Sequence, residues 1–416
     1  MKLEINNIGI INEADMDING ITVIAGENGT GKSTVGKVLY CIFNALYNIS
    51  DKVYRERINS VIRILYATNS VVNTDDINIR IEELAKEIVY KHETADTNTL
   101  FNAISNSGVL TATTEKEQIS KAVSGISDML SIKDVDIADM IMQSRFDAEF
   151  DGVISNVNVA DDKASAALTI KGKGISLSIE KNSVRIKEQA ELKKNIVYID
   201  DPYIMDDLTY ASLIMTRTLS YGHRASLKRK LRLVSGNNTV PEQLIIEKKL
   251  RDVYSCINSV CEGKLRFNER QGVEYVSEHF KKPLKMNNLS TGIKSFAILK
   301  TLIENGSIEE DGVVILDEPE VHLHPQWQMK YAEAIVLLQK TFNINFLIST
   351  HSTDFLAALQ LYSEKYSVTN NKYYFMEKKI NREYSDIMDV TGNVDLVYKS
   401  LGDPMIRMSE ELIYEI

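Results

Sequence analysis

Ile21-Thr22-Val23-Ile24-Ala25-Gly26-Glu27-Asn28-Gly29-Thr30-Gly31-Lys32-Ser33-Thr34 is the stretch that decides the fold. Its first five residues read as a continuous apolar run, which suits a strand buried on both faces of a mainly parallel sheet. Beyond the glycines, Val35, Val38, Leu39, Ile42, Phe43 and Leu46 recur at helical spacing, so a helix follows directly. Between the two lies the pattern G-x-x-x-x-G-K-[ST], in the strand-to-helix context that gives the pattern its meaning. Gly26, Gly29 and Gly31 permit the backbone angles that aim successive N–H groups of the loop, Asn28 and Thr30 to Thr34 among them, at phosphate oxygens. The positive end of the helix adds to the attraction. Lys32 is placed to reach the β and γ phosphates and the Ser33 hydroxyl to ligate Mg²⁺. The expected ligands are therefore ATP and Mg²⁺.

Working outward, Leu3, Ile5, Ile8 and Ile10 mark an alternating edge strand before the loop. From about 48 to 148 the pattern is helical, with Ile77, Ile81, Leu84 and Ile88 on one face. Residues 150 to 190 switch to period two, as Ala167–Ile170, Ile175–Ile179 and Val184–Ile186, and predict an antiparallel meander. Ile196–Ile199 is another short buried strand, stopped by Asp200-Asp201-Pro202. Helix returns over 205 to 262, interrupted at Ser235-Gly236-Asn237-Asn238, and Leu265 to Pro283 reads as a hairpin turning at Arg270-Gln271-Gly272. Val313–Leu316 and Phe346–Ile348 are the last apolar strands of the main pattern. The expected fold class is α/β: a mixed sheet flanked by helices, with helical and antiparallel β insertions. Its core is 1–48 and 284–416, joined by strands in 150–204; the insertions are 49–149 and 205–283.

Composition excludes other classes. The chain of 416 residues is 44% hydrophobic and 25% charged, which suits a soluble globular protein. It has no run of eighteen apolar residues and no secretion signal, so the expectation is a cytoplasmic protein with no membrane partner. Cys41, Cys256 and Cys261 are too few and scattered for a disulfide framework or a zinc site and read as buried hydrophobes. A net charge of −10 argues against a generally basic, nucleic-acid-coating surface.

Three further segments carry chemistry. Val313–Leu316 delivers Asp317 and Glu318 to the carboxyl end of a core strand, where open α/β sheets bind their ligands. Asp317 is suited to hold Mg²⁺, mainly through its water shell, and Glu318 to orient and polarise the attacking water as a general base. His351 follows the next strand, within Ser349-Thr350-His351-Ser352, where it can donate to the γ-phosphate. Leu289-Ser290-Thr291-Gly292-Ile293-Lys294-Ser295 precedes an apolar helix, so Ser290 and Gly292 stand at a helix N-terminus able to capture an anion. His322 and His324, with Glu320 near, invite a metal reading, but no third distant ligand is evident; a conformational or interface role is expected instead.

With these motifs in order, the chain resembles the ABC-type ATPase heads of the RecF, SMC and OLD class. Leu316-Asp317-Glu318-Pro319-Glu320-Val321-His322-Leu323-His324-Pro325-Gln326-Trp327-Gln328 is most similar to the AAA-type ATPases of bacterial anti-phage systems, OLD-like and Septu-type. Transporter ATPases usually read Asp-Glu-Pro-Thr-Ser there. The resemblance covers 1–48 and 284–360, with 196–202 more loosely. It implies ATP hydrolysis with Lys32, Glu318 and His351 in the catalytic set. It also implies that Ser290 and Gly292 of one copy complete the site of another, so a head-to-head homodimer, or a higher oligomer built on it, is expected. Thr291 and Ile293 depart from the commonest signature. A glutamine commonly follows the strand at 196–199; Asp200 and Asp201 stand there instead, leaving Asp200 as a further Mg²⁺ candidate and Gln143 as a poor substitute. Asp386 and Asp389 lack the Asp-x-Asp spacing of the OLD nuclease, so no nuclease domain is expected. The implied role is sensor or motor of a defence complex acting on a separate effector, a nuclease or toxin. The alternatives are a RecF-like DNA-binding ATPase, drawing on Arg224, Lys228, Arg229, Lys230, Arg232, Lys248, Lys249 and Arg251, or an ATP-gated scaffold with little turnover.

Overall fold

A computed structural model describes residues 1–67, 75–91, 96–109, 116–158, 163–208, 221–233, 246–268, 272–378 and 384–402. The chain divides into two compact units, Met1–Tyr47 with Gln143–Ile416, and Asn48–Met142.

The first unit opens with β1 (Lys2–Ile8), β2 (Ile11–Asp17), β3 (Ile21–Gly26) and α1 (Lys32–Leu46). The second holds α2 (Ile49–Ala67), α3 (Asp75–Lys91), α4 (Thr97–Asn106) and α5 (Lys116–Ser131), and α6 (Asp134–Phe150) crosses the boundary between the units. Val61, Leu65, Ile81, Leu84, Ile88, Leu100, Ile104, Val123 and Ile126 form the second unit's own core. Buried Arg57 ties its α5–α6 turn, donating to the Ile132 carbonyl at 2.6 Å and to Asp134 Oδ1 at 2.7 Å.

The first unit resumes with the meander β4 (Lys163–Ile170), β5 (Lys173–Glu180) and β6 (Ser183–Glu188), then β7 (Ile196–Ile199), α7 (His223–Leu231), α8 (Arg251–Asn258), β8 (Lys264–Asn268), β9 (Gly272–Val276) and β10 (Leu284–Lys285). It ends with α9 (Thr291–Glu304), β11 (Val313–Asp317), α10 (Pro325–Phe342), β12 (Asn345–Thr350), α11 (Thr353–Lys365), β13 (Lys372–Lys378) and β14 (Ser385–Asp389). Among the described residues one sheet runs β6-β5-β4-β1-β2-β14-β13-β3-β12-β11-β7, and β10-β9-β8 form a small sheet. The meander half is antiparallel; β13, β3, β12, β11 and β7 are mutually parallel.

Register is what builds the site. Ala25 pairs with Thr350, Ser349 with Asp317, and Leu316 with Ile199, so three parallel strands end level with the start of the phosphate loop. Val23, Val197, Phe296, Leu316, Tyr331, Phe346 and Phe355 share one core, which the stretch expected as a second insertion joins through Leu227, Val253, Ile257, Val273 and Tyr275.

Two expectations change. The alternating strand at Leu3 is not an edge: β1 pairs β2 on one side and β4 on the other, and Ile10 lies beyond its end. Alternation reports that one face is covered and says nothing about whether the edges are paired. The apolar pattern also does not end at β12. β13 lies directly beside β3, burying Tyr373 to Met376, and β14 links it to β2. The hairpin at 265 to 283 forms as β8–β9 with β10 added; its turn at Arg270 and Gln271, and the break at Ser235 to Asn238, lie outside the described residues.

Candidate functional site

Gly31 is the N-cap of α1 at φ 99°, a left-handed conformation, and a Cβ there would lie 2.8 Å from the Ile10 side chain. Only glycine turns the chain from β3 into α1 at this point. Lys32 opens the helix with its side chain 4% exposed, its ammonium donating to the carbonyls of Gly26 at 2.9 Å and Glu27 at 2.8 Å. Burial lowers the Lys32 pKa, and the carboxylates of Glu318 and Asp317 act against that shift. Thr30 also donates to Glu27, at 2.9 Å, so the loop is held in a closed curve.

Asp317 ends β11. Tyr198 donates to its Oδ2 at 3.1 Å and Ser349 to its Oδ1, which fixes the carboxylate from both neighbouring strands. Glu318 follows in the left-handed region at φ 49°, a costly conformation for a glutamate and of the kind that clusters at functional sites. Its Oε1 lies 3.6 Å from Lys32 Nζ and 3.4 Å from His351 Nδ1. Glu320, 3% exposed, turns back beneath the strands and accepts from the Thr350 hydroxyl at 2.5 Å and the His351 amide at 3.2 Å. Burial raises its pKa, against those hydrogen bonds.

Asp317 and Glu318 line a cavity of ≈ 460 Å³ together with Asn28, Gly29, Ser33, Asp200 and His322; Lys32 and His351 stand behind Glu318 and are not part of its lining. The structure thus brings together most of the residues expected from sequence. A hydroxyl at Ser33 and a fixed carboxylate at Asp317 on one wall are hard oxygen donors of the kind Mg²⁺ takes, and Mg²⁺ ordinarily keeps waters and substrate phosphates as its other ligands. Among the described residues no group of three or more His, Cys, Asp or Glu is arranged to enclose a metal. The three cysteines are buried free thiols.

Asp200 lies on this wall in a different setting from a free ligand. His223 Nε2 is 3.1 Å from its Oδ2 and Arg224 Nε 2.6 Å from the same oxygen. Despite burial, the hydrogen bonds from His223 and Arg224 hold the Asp200 carboxyl below its ordinary range. His223 is also bound to Glu149, Nδ1 to Oε2 at 2.7 Å, and stacks on Tyr198 with ring centroids 4.3 Å apart. Burial works against its charge, but bonds to Asp200 and Glu149 raise its pKa to about 9. Sequence reading missed His223 and Tyr198: neither belongs to a spacing pattern, and only the fold sets them beside Asp317 and Asp200. Gln143 is employed elsewhere, accepting from the Val184 amide at 2.6 Å and donating to the Asn182 carbonyl at 3.0 Å.

Ser290 and Gly292 do not line the cavity. Ser290 is exposed, and as N-cap of α9 its hydroxyl makes no bond to the helix's own amides. Gly292 is buried, and a Cβ there would fall 2.6 Å from Trp327 Cε3. Gly292→Ala should therefore lower stability by about 1–3 kcal/mol through overpacking, measured by denaturant unfolding followed by the fluorescence of Trp327, the chain's one tryptophan. Further along the same helix, Ser295 and Ile298 reach the cavity wall. His324 caps α10, accepting from the Gln326 amide at 3.3 Å, and His322, at φ 71°, meets Tyr203 edge-on. His322 also lines the cavity.

The basic stretch is largely spent inside the unit. Lys228 pairs with Asp207 at 2.8 Å and Lys249 with Glu310 at 2.8 Å, while Lys230 is 8% exposed. Burial lowers the Lys230 pKa from 10.5 to about 8. The folded state disfavours the charged form, so stability should rise as pH increases from about 8 through 10.5. Lys230→Met should gain up to about 3 kcal/mol at pH 7, a gain that shrinks across the same window in denaturant titrations.

A family model described as "AAA domain, putative AbiEii toxin, Type IV TA system" matches residues 21–357. The "Retron Vc95 probable ATPase" of Vibrio cholerae serotype O1 biovar El Tor is 29% identical over 146 residues, 32% of this chain and 26% of that protein. The "Retron Ec83 probable ATPase" of Escherichia coli is 43% identical over 56 residues, 12% of this chain and 10% of that protein. The chain therefore spans about a quarter of the first relative's length and a tenth of the second's. Among solved structures, an SMC head bound to the C-terminal winged-helix domain of ScpA covers 95% of this chain and 98% of its own, with TM-score 0.46 and 9% identity. The SMC head domain from Thermotoga maritima covers 94% and 98%, with TM-score 0.38 and 10% identity. Among the described residues no helix is long and apolar enough to cross a membrane.

Proposed function

This chain belongs to the AAA domain family, a family of ATPases, and from that premise we propose that it binds ATP with Mg²⁺ in the cavity beside Lys32 and hydrolyses it. The observation that carries the reading is the meeting of Lys32 and Glu318 at 3.6 Å, on a loop and a strand end that share one cavity with Ser33 and Asp317. The loop amides from Asn28 to Thr34 and the Lys32 ammonium bind the phosphates, the ammonium giving up its loop carbonyls to do so. Ser33 and Asp317 would hold Mg²⁺, which would supply positive charge against the phosphates. Glu318 accepts a proton from the attacking water; an oxygen–phosphorus bond forms at the γ-phosphorus as the bond to the ADP oxygen breaks. His351, its amide held by Glu320 and its Nδ1 3.4 Å from Glu318, is the donor to the γ-phosphate in this reading. Phosphate release from ATP by the purified chain with Mg²⁺ tests this. Saturable turnover is expected, and its absence at protein concentrations that bind ATP would remove the reading.

The same proposal extends to assembly. Ser290, exposed at the start of α9 and outside the cavity's lining, is free to complete the phosphate site of a second copy. Two copies would then close head to head around ATP and reopen after hydrolysis. The relatives named as retron ATPases support a place in a defence complex, where opening and closing would act on a separate effector protein.

A further inference from the structure

The cavity is short of positive charge. Asp200, Asp201, Asp317 and Glu318 all line it, and among its described lining residues Arg224 is the one lysine or arginine. Carboxylates repel a polyphosphate at this range unless cations intervene; Lys32, behind the wall and 3.6 Å from Glu318, and Mg²⁺ at Ser33 and Asp317 answer one side of it, while Asp200 and Asp201 have only the groups around Arg224.

The position of Arg224 is itself unusual. It is the second residue of α7, where the positive end of the helix disfavours a cation. Asp200 and Asp201 offset that cost: Nε lies 2.6 Å from Asp200 Oδ2 and an Nη 3.6 Å from Asp201 Oδ2. Asp200 is steadied in turn by His223, which is anchored to Glu149. The guanidinium has five N–H donors, and the Asp200 bond employs one of them. With its side chain 59% exposed, it keeps a fork suited to bidentate phosphate binding.

Resting on the ATP reading above, we propose that Arg224 is a further nucleotide-contacting residue. Its guanidinium donates to the terminal phosphate of bound ATP, and Asp200 and Asp201 are the positioning residues that hold it at the cavity wall. The Asp200-Asp201 pair then has a purpose that ligation of Mg²⁺ does not give it. A contact confined to the terminal phosphate separates triphosphate from diphosphate and leaves the rest of the nucleotide's binding alone.

The test measures dissociation constants of the full chain, with Mg²⁺, for the non-hydrolysable analogue AMP-PNP and for ADP. Arg224→Ala should weaken AMP-PNP by about 10–100-fold, the range of one or two charge-assisted bonds, and ADP by less than about 3-fold. Arg224→Gln keeps a donor toward Asp200, so it should unfold at the wild-type temperature yet show the same selective loss; Arg224→Lys should recover part of it. Equal weakening of both nucleotides in Arg224→Gln, or no weakening, would overturn the proposal. Lys32→Ala, measured alongside, separates the two readings. If Lys32→Ala binds AMP-PNP like wild type, the ATP site itself is misplaced. If it loses AMP-PNP while Arg224→Gln does not, only the role of Arg224 fails.

Discussion

Glu318→Gln is expected to cut ATP turnover by about 10²–10⁴-fold while leaving ATP affinity within a few-fold of wild type. Gln keeps the size of the side chain and its hydrogen bonding but cannot take a proton from water. The geometry makes this loss specific. Glu318 is one-third exposed, so water reaches it, and its Oε1 stands between Lys32 Nζ at 3.6 Å and His351 Nδ1 at 3.4 Å. The left-handed backbone at φ 49°, immediately after a fixed Asp317, sets the direction in which the Glu318 side chain leaves the chain. The substitution leaves that turn in place because β11, β12 and the Glu318 amide bond to the Ser349 carbonyl are unchanged. Single-turnover phosphate release and equilibrium binding, run on the same preparation, separate the two effects. Equal turnover in variant and wild type would remove Glu318 from the chemistry.

Lys32→Ala is expected to weaken ATP by at least about 100-fold, since it deletes a cation bonded to two phosphates. Here the larger share of the loss comes from the phosphates and a smaller share from the loop. The ammonium also clasps the carbonyls of Gly26 and Glu27, so its removal loosens the cradle before any ligand arrives. Its burial disfavours the charge while Glu318 and Asp317 act against that, and Glu318 lies 3.6 Å away, so the two side chains are coupled. Removing both Lys32 and Glu318 should accordingly cost less than the sum of the single changes. Isothermal titration with ATP and Mg²⁺ reads the outcome; a Lys32→Ala protein that binds as wild type does would contradict the phosphate-loop assignment.

Much of this site was legible in the sequence because each part was local. The loop from Gly26 to Ser33 joins a strand to a helix, and its motif needs only that junction. Asp317 and Glu318 follow an apolar run whose end can be read directly, and His351 follows another. What stayed hidden is what the fold brings from a distance. Lys372-Tyr373-Tyr374-Phe375-Met376-Glu377-Lys378 is short, and its aromatic run gives no sign that it will lie beside β3 at the centre of the sheet. Tyr198 and His223 reach Asp317 and Asp200 only because β7 pairs β11 and α7 packs against β7. Gly292 has a second use that its motif did not disclose: its missing side chain makes room for Trp327, 35 residues further along the chain. A run of basic residues suggested a nucleic-acid surface, but charge in sequence does not disclose pairing, and Lys228, Lys249 and Arg224 each have a carboxylate partner.

On the proposal above, ATP in this cavity governs the union of two copies, with Ser290 of one copy serving the site of the other. The mass in solution of the Glu318→Gln protein, with Mg²⁺ and with or without ATP, reads whether nucleotide joins two copies. A single-chain mass without nucleotide and twice that mass with ATP is the predicted result, with Ser290→Arg abolishing the change. The same mass under both conditions, in a protein shown to bind ATP, would contradict it.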